Sequence, residues 1–132
     1  MSDRGVIKSE VFFHQKILFE GLRWGTITPT DIDLAIDFKN RLFIYVEFKH
    51  MTDTTVNIGQ QLILERMCDN SEAPSYAMIA VHDTDIGSDV IAWKAEIIKC
   101  YYRHNWKDID NPVTLLDAIL KLRNKYGFDE EN

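Results

Sequence analysis

The sequence predicts a mixed α/β domain, a central sheet flanked by helices, on three observations. Leu34-Ala35-Ile36-Asp37-Phe38 and Leu42-Phe43-Ile44-Tyr45-Val46 are rich in β-branched and aromatic residues, and the polar turn Lys39-Asn40-Arg41 separates them. Together they read as one hairpin over roughly residues 32–49. The run Tyr76-Ala77-Met78-Ile79-Ala80-Val81-His82 is almost continuously apolar, the pattern of a strand covered on both faces. Apolar residues recur at helical spacing before, between and after these strands.

In chain order, Val6, Phe13 and Ile17, with Ile7, Val11, Leu18 and Leu22, predict a helix over residues 6–22, ended by Gly21 and Gly25. Trp24–Thr28 reads as a short β-like segment, followed by the hairpin. Met51–Asn57 is polar, with Asp53 or Thr54 as the cap of a helix over about 56–69, which Ala73-Pro74 separates from the buried strand. Asp83-Thr84-Asp85 is a loop. Residues 90–103 hold one or two strands, Ile97–Tyr102 being the strongest. Asn111-Pro112 opens the last element, a helix capped by Thr114, running to Tyr126 and ended by Gly127.

The 132 residues form a single domain over 1–132, large enough for one core, with the acidic tail 129–132 expected to be flexible. A 45% hydrophobic and 27% charged composition is that of an ordinary globular protein. No apolar run approaches the ~20 residues that cross a bilayer. Met1-Ser2-Asp3-Arg4-Gly5 lacks the basic-then-apolar pattern of a secretory signal, so the expected location is cytoplasmic. Cys68 and Cys100 lack zinc-site spacing and sit in apolar stretches, as two reduced, buried thiols would. The net charge of −6 opposes a strong stand-alone grip on nucleic acid.

Chemistry concentrates in Asp31-Ile32-Asp33 and Glu47-Phe48-Lys49. Alternation along a strand puts Glu47 and Lys49 on one face and Phe48 on the other. The hairpin brings the Asp33 carboxylate toward that pair. Two carboxylates beside an ammonium at the end of an apolar strand suit a divalent cation and an activated water. A structural alternative is a Glu47–Lys49 surface ion pair, with Asp33 and Asp31 as turn caps after Pro29-Thr30. Asp37 lies near the turn and reads as solvated.

Pro29-Thr30-Asp31-Ile32-Asp33, then Glu47-Phe48-Lys49, then Gly59-Gln60 on the next helix, resembles the PD-(D/E)xK nuclease superfamily. The resemblance covers roughly residues 6–105. It implies a restriction-endonuclease-like core of helix, three-stranded meander, helix and strand. It also implies a metal-dependent nuclease that hydrolyses DNA phosphodiester bonds with Mg²⁺ or Mn²⁺, leaving 5′-phosphate and 3′-hydroxyl ends. Asp33 and Glu47 would be metal ligands, with the backbone carbonyl of Phe48 as a third, and Lys49 would orient or deprotonate the attacking water. Glu10, which interrupts the Val6-Phe13-Ile17 stripe, takes the position of the family's helix Glu, or else lies at the stripe's edge with its carboxylate in water. Gln60 or its neighbour Gln61 takes that of the family's helix Gln.

Arg103 and Lys107, near His104, form a small basic cluster for phosphate contact. Trp93, Tyr101, Tyr102 and Trp106 are read mainly as core rather than as base-stacking residues. His14, His50, His82 and His104 are dispersed, and His50 points away from the Lys49 face. The small size suggests a phage or mobile-element enzyme. It would work as a homodimer to reach two strands, or with a protein partner that supplies the grip. The rival expectation is a non-catalytic acidic binding or inhibitor protein on a nuclease-like scaffold.

Overall fold

The computed structural model describes residues 17–128. Within them the chain is α/β, with a five-stranded mixed sheet in the order β1-β2-β3-β4-β5 and two helices. The elements in sequence are β1 (Leu34–Asp37), β2 (Phe43–His50), α1 (Ile58–Asp69), β3 (Ser75–His82), β4 (Glu96–Tyr102), β5 (Asn105–Asp108) and α2 (Leu115–Lys125), with a 3₁₀ turn at Ala92–Lys94 before β4.

The hairpin forms where the sequence predicts it, β1 pairing antiparallel with β2 from Leu34↔Val46 to Asp37↔Phe43. Its turn residues Lys39 and Asn40 have φ of 54° and 61°, and the Asp37 carboxylate accepts the Asn40 N–H at 2.7 Å. Two successive left-handed residues match the twist of the flanking strands. β3 runs parallel to β2, Phe43↔Ser75 through His50↔His82, so α1 is the crossover between them. β4 and β5 continue the sheet antiparallel.

Alternation sorts the strand residues onto two faces. Leu42, Ile44, Val46, Tyr76, Met78, Ala80 and Ile97 join Leu115 and Phe128 in the core under α2. Tyr45, Ala77, Ile79 and Tyr101 meet Leu64 and Cys68 of α1 on the other face. β3 is buried from Ser75 to Ala80, as its apolar run requires. Cys68 and Cys100 are free thiols, the first buried and the second half-buried. Tyr101 and Tyr102 belong to the cores, Tyr102 stacking on Tyr76 at 4.2 Å. Trp93 is half exposed.

Several expectations change. Of the helix expected over 6–22, residues 6–16 lie outside the described residues, and 17–22 are irregular. Gly21 at φ 85° interrupts them. Ile17, Leu18 and Leu22 are exposed, so the described part of that stripe lacks the packing that sustains a short helix. Trp24 bridges only to Ile27, a local turn, so the expected meander contributes two strands and not three. The helix cap is Asn57, whose side chain accepts the Gln60 N–H at 2.7 Å; Asp53 instead accepts the Thr55 N–H at 3.1 Å. β5 is a strand the sequence did not announce. The 129–132 tail lies outside the described residues. No helix among the described residues is long and apolar enough to cross a membrane.

Candidate active site

Asp33, Glu47, Phe48, Lys49 and Gln60 come together at one end of the β1–β2 hairpin. β1 begins at Leu34, opposite Val46, while β2 continues to His50. Where β1 has no further residue to offer, the Asp33 side chain takes its place, Oδ2 accepting the Phe48 N–H at 2.8 Å. In a strand the N–H and C=O of one residue leave on the same edge, so the Phe48 carbonyl emerges on the Asp33 side beyond the β1–β2 ladder.

Glu47 and Lys49 lie on the α1 face. Gln60, fixed in the first turn of α1 by the Asn57 cap, joins them through one amide. Its Oε1 accepts from Lys49 Nζ at 3.1 Å, and its Nε2 donates to Glu47 Oε1 at 3.3 Å. The amide keeps the ammonium and the carboxylate apart while bonding both, each in the polarity that it can satisfy. The surface ion pair weighed from sequence is therefore replaced by a bridged triad. Gln60, not Gln61, occupies this position.

Glu47 is 4% exposed. Burial, and then the Asp33 carboxyl close enough to share a hydrogen bond with it, push its pKa up to about 7; Lys49 acts in the opposite direction. Near neutrality the Glu47 carboxyl therefore still holds its proton part of the time. A cation can replace that proton. The donors within reach, two carboxyls and one backbone carbonyl, are the hard oxygens that suit Mg²⁺ or Mn²⁺ retaining several waters. No group of three or more His, Cys, Asp or Glu side chains arranged for a metal occurs among the described residues. The residues present fit a hydrated divalent ion and do not fit zinc.

Other candidates fall elsewhere. Glu10 lies outside the described residues. Arg103 sits in the β4–β5 turn at φ 47°, beyond Tyr101, which is opposite Ala77; that is the end of the sheet away from Glu47. Lys107 pairs with Cys100, on the α2 face. Neither is brought to the carboxylates. His50 contacts Thr52 Oγ1 at 2.8 Å and the Thr84 carbonyl at 3.2 Å, and packs edge-on to His82. The lysine that does share the Glu47 face is Lys99, through the row Glu47↔Ile79↔Lys99. Its face depends on a strand irregularity that no residue type announces.

No protein-family model, curated protein or solved structure matches the chain.

Proposed function

We propose that the protein is a divalent-metal-dependent nuclease that hydrolyses DNA phosphodiester bonds on a restriction-endonuclease-like core. The observation that carries this reading is the Gln60 amide joining Lys49 to Glu47, with the Asp33 carboxyl against the same Glu. Surface charges held for solubility do not need a shared amide, a buried glutamate and a carboxylate docked on the neighbouring backbone N–H.

Asp33, Glu47 and the Phe48 carbonyl would hold Mg²⁺ or Mn²⁺, which when bound acidifies water and polarises phosphate oxygens. The protein's own part is positional. Asp33 keeps the Phe48 peptide aimed at the site. Gln60 restrains Lys49, so that its ammonium meets the attacking water or the charge developing on the phosphate without reorganisation. Glu47, buried, keeps its carboxyl oriented through Gln60.

Metal-dependent cleavage of at least one DNA in a panel of plasmid, linear duplex, single strand and four-way junction, lost with EDTA and in Lys49→Ala, is the expected result. No cutting by folded protein with Mg²⁺ or Mn²⁺ overturns it. The net charge of −6, with Asp31, Asp33 and Asp37 exposed along the sheet edge, favours the second reading in that event: an acidic domain that binds a basic protein partner.

A further inference from the structure

We propose that the cleft beside Glu47 binds one nucleotide of a single-stranded chain, the base on its apolar floor and the phosphate at Lys99. The inference rests on the nuclease reading above and adds to it a substrate form and a binding residue.

The cleft has a volume of about 200 Å³ and is lined by Val56, Gln61, Ile79, Lys99 and Trp106. That is below the ~300–1,000 Å³ of sites for whole drug-sized ligands, and suits one planar ring system. Its floor is Ile79, the direct neighbour of Glu47 across the β2–β3 ladder. Lys99 follows one strand further, roughly 10 Å from Glu47 by strand spacing. The cleft therefore begins where the carboxylate site ends, within reach of the nucleotide next to the one being cut.

The placement of Lys99 depends on a β-bulge. Beyond it, Ala80 pairs with Ile97, a register that carried on would set Lys99 opposite Met78, in the core under α2. The shift between Ile79 and Ala80 sets Lys99 opposite Ile79 instead, turning the ammonium to the face of Glu47. Bulges beside sites commonly re-aim one side chain in this way.

The polar groups at the rim are uncommitted. Among the described residues, the side chains of Gln61 and Lys99 have neither hydrogen bond nor ion pair. Asp108 faces Lys99 in register but forms no ion pair with it. Trp106 directs its indole N–H to Glu65 at 3.1 Å, which leaves its ring as an apolar wall. A base can lie on such a surface only when unpaired and unstacked, which selects single strands over duplex. A single phosphate contact also suits a chain of net charge −6 better than an extended basic track would.

The test compares wild type, Lys99→Ala and Gln61→Ala, both substitutions being at exposed positions. Cleavage is measured with Mg²⁺ on a single-stranded oligodeoxynucleotide, its duplex and bis(p-nitrophenyl) phosphate, which has no neighbouring phosphate to meet Lys99. Binding of the fluorescein-labelled single strand is measured with Ca²⁺ across a salt series. The expected result is a KM for the single strand raised about tenfold by Lys99→Ala with kcat little changed. The small phosphodiester should be hydrolysed as before, and the salt slope of binding should fall by about 0.7. Unchanged KM and salt slope in both variants, with wild type cutting the single strand and the small phosphodiester, remove the cleft and leave the nuclease. Equal cutting of duplex removes the single-strand assignment. Binding that needs Lys99, without cleavage of anything, keeps the cleft and removes the nuclease. Neither binding nor cleavage removes both.

Discussion

The Asp33 carboxylate accepts the backbone N–H of Phe48 at 2.8 Å, fifteen residues along the chain. Asp33 thereby completes the hairpin edge with a side chain and delivers a carboxyl to Glu47 in the same stroke. Structure and chemistry can be separated at this residue. Asp33→Asn keeps an oxygen acceptor for Phe48 but lowers ligand charge. It should fold with nearly native Tm and lose cleavage by more than the ~10–100-fold typical of partners one step removed from a metal. Asp33→Ala should lose cleavage and also about 1 kcal/mol of stability through the lost hydrogen bond to the Phe48 N–H. Thermal melts beside rate measurements check both, and an active Asp33→Asn protein would remove Asp33 from the ligand set.

Gln60 touches Lys49 and Glu47, so on the nuclease reading it would act through them, as a positioning residue. Gln60→Ala should lower kcat about 10–100-fold with little change in KM, because the remaining groups are present but no longer held. Gln60→Glu should do worse, since a third carboxyl would repel Glu47. A rise in KM at constant kcat would instead assign Gln60 to substrate binding.

Glu47 gives the metal-free protein a pH dependence of defined sign. Its pKa rises from 4.5 to about 7 on folding, so between those values the folded state holds the proton more tightly than the unfolded one. Stability is therefore greatest below about pH 4.5 as far as this group is concerned. It declines as pH rises and levels off above about 7. After discounting for solvent screening the loss is on the order of 1–2 kcal/mol. Denaturant titrations in EDTA should show this decline, and Glu47→Gln should flatten it. Mg²⁺ should oppose it, binding more tightly as pH rises toward 7 and releasing protons.

What the sequence made legible was the part encoded locally. Leu34–Val46 carries its own alternation and its own turn. The apolar run 76–82 states its burial, and Thr114 and Gly127 mark the ends of α2. The grouping of Asp33 with Glu47 and Lys49 follows from the hairpin, which brings the start of β1 beside the end of β2. What stayed hidden depends on geometry without a residue signature. The β4–β5 turn puts Arg103 and His104 at φ 47° and 67°, where Gly or Asn would advertise a hairpin, so nothing local announces β5, and Arg103 and Lys107 look like one patch in sequence. They lie at one end of the sheet and on its α2 face. The choice between Gln60 and Gln61 rested on the Asn57 cap, which sets the rotation of the first turn of α1. Lys99 rested on the bulge.

Phe128 tests a long-range contact that the pattern of α2 does not announce. Gly127 ends the helix at φ 81°, and the left-handed turn sends the next residue back over the last turn, the Phe128 N–H donating to the Arg123 carbonyl at 2.7 Å. Arg123 in turn donates to the Phe128 carbonyl at 2.9 Å. The ring has no exposed surface. It packs at 5.4 Å from the Phe38 ring, beside the β1–β2 turn, and the Arg41 guanidinium lies over its face at 4.3 Å. One residue thus ties the C-terminal helix to the hairpin that carries the candidate site. Phe128→Ala should cost about 3–5 kcal/mol, and Phe128→Leu, which keeps most of the volume, clearly less. Gly127→Ala should cost about 1 kcal/mol through its left-handed backbone alone. Equilibrium denaturation measures all three. A Phe128→Ala protein as stable as the parent would show that the helix docks without this ring.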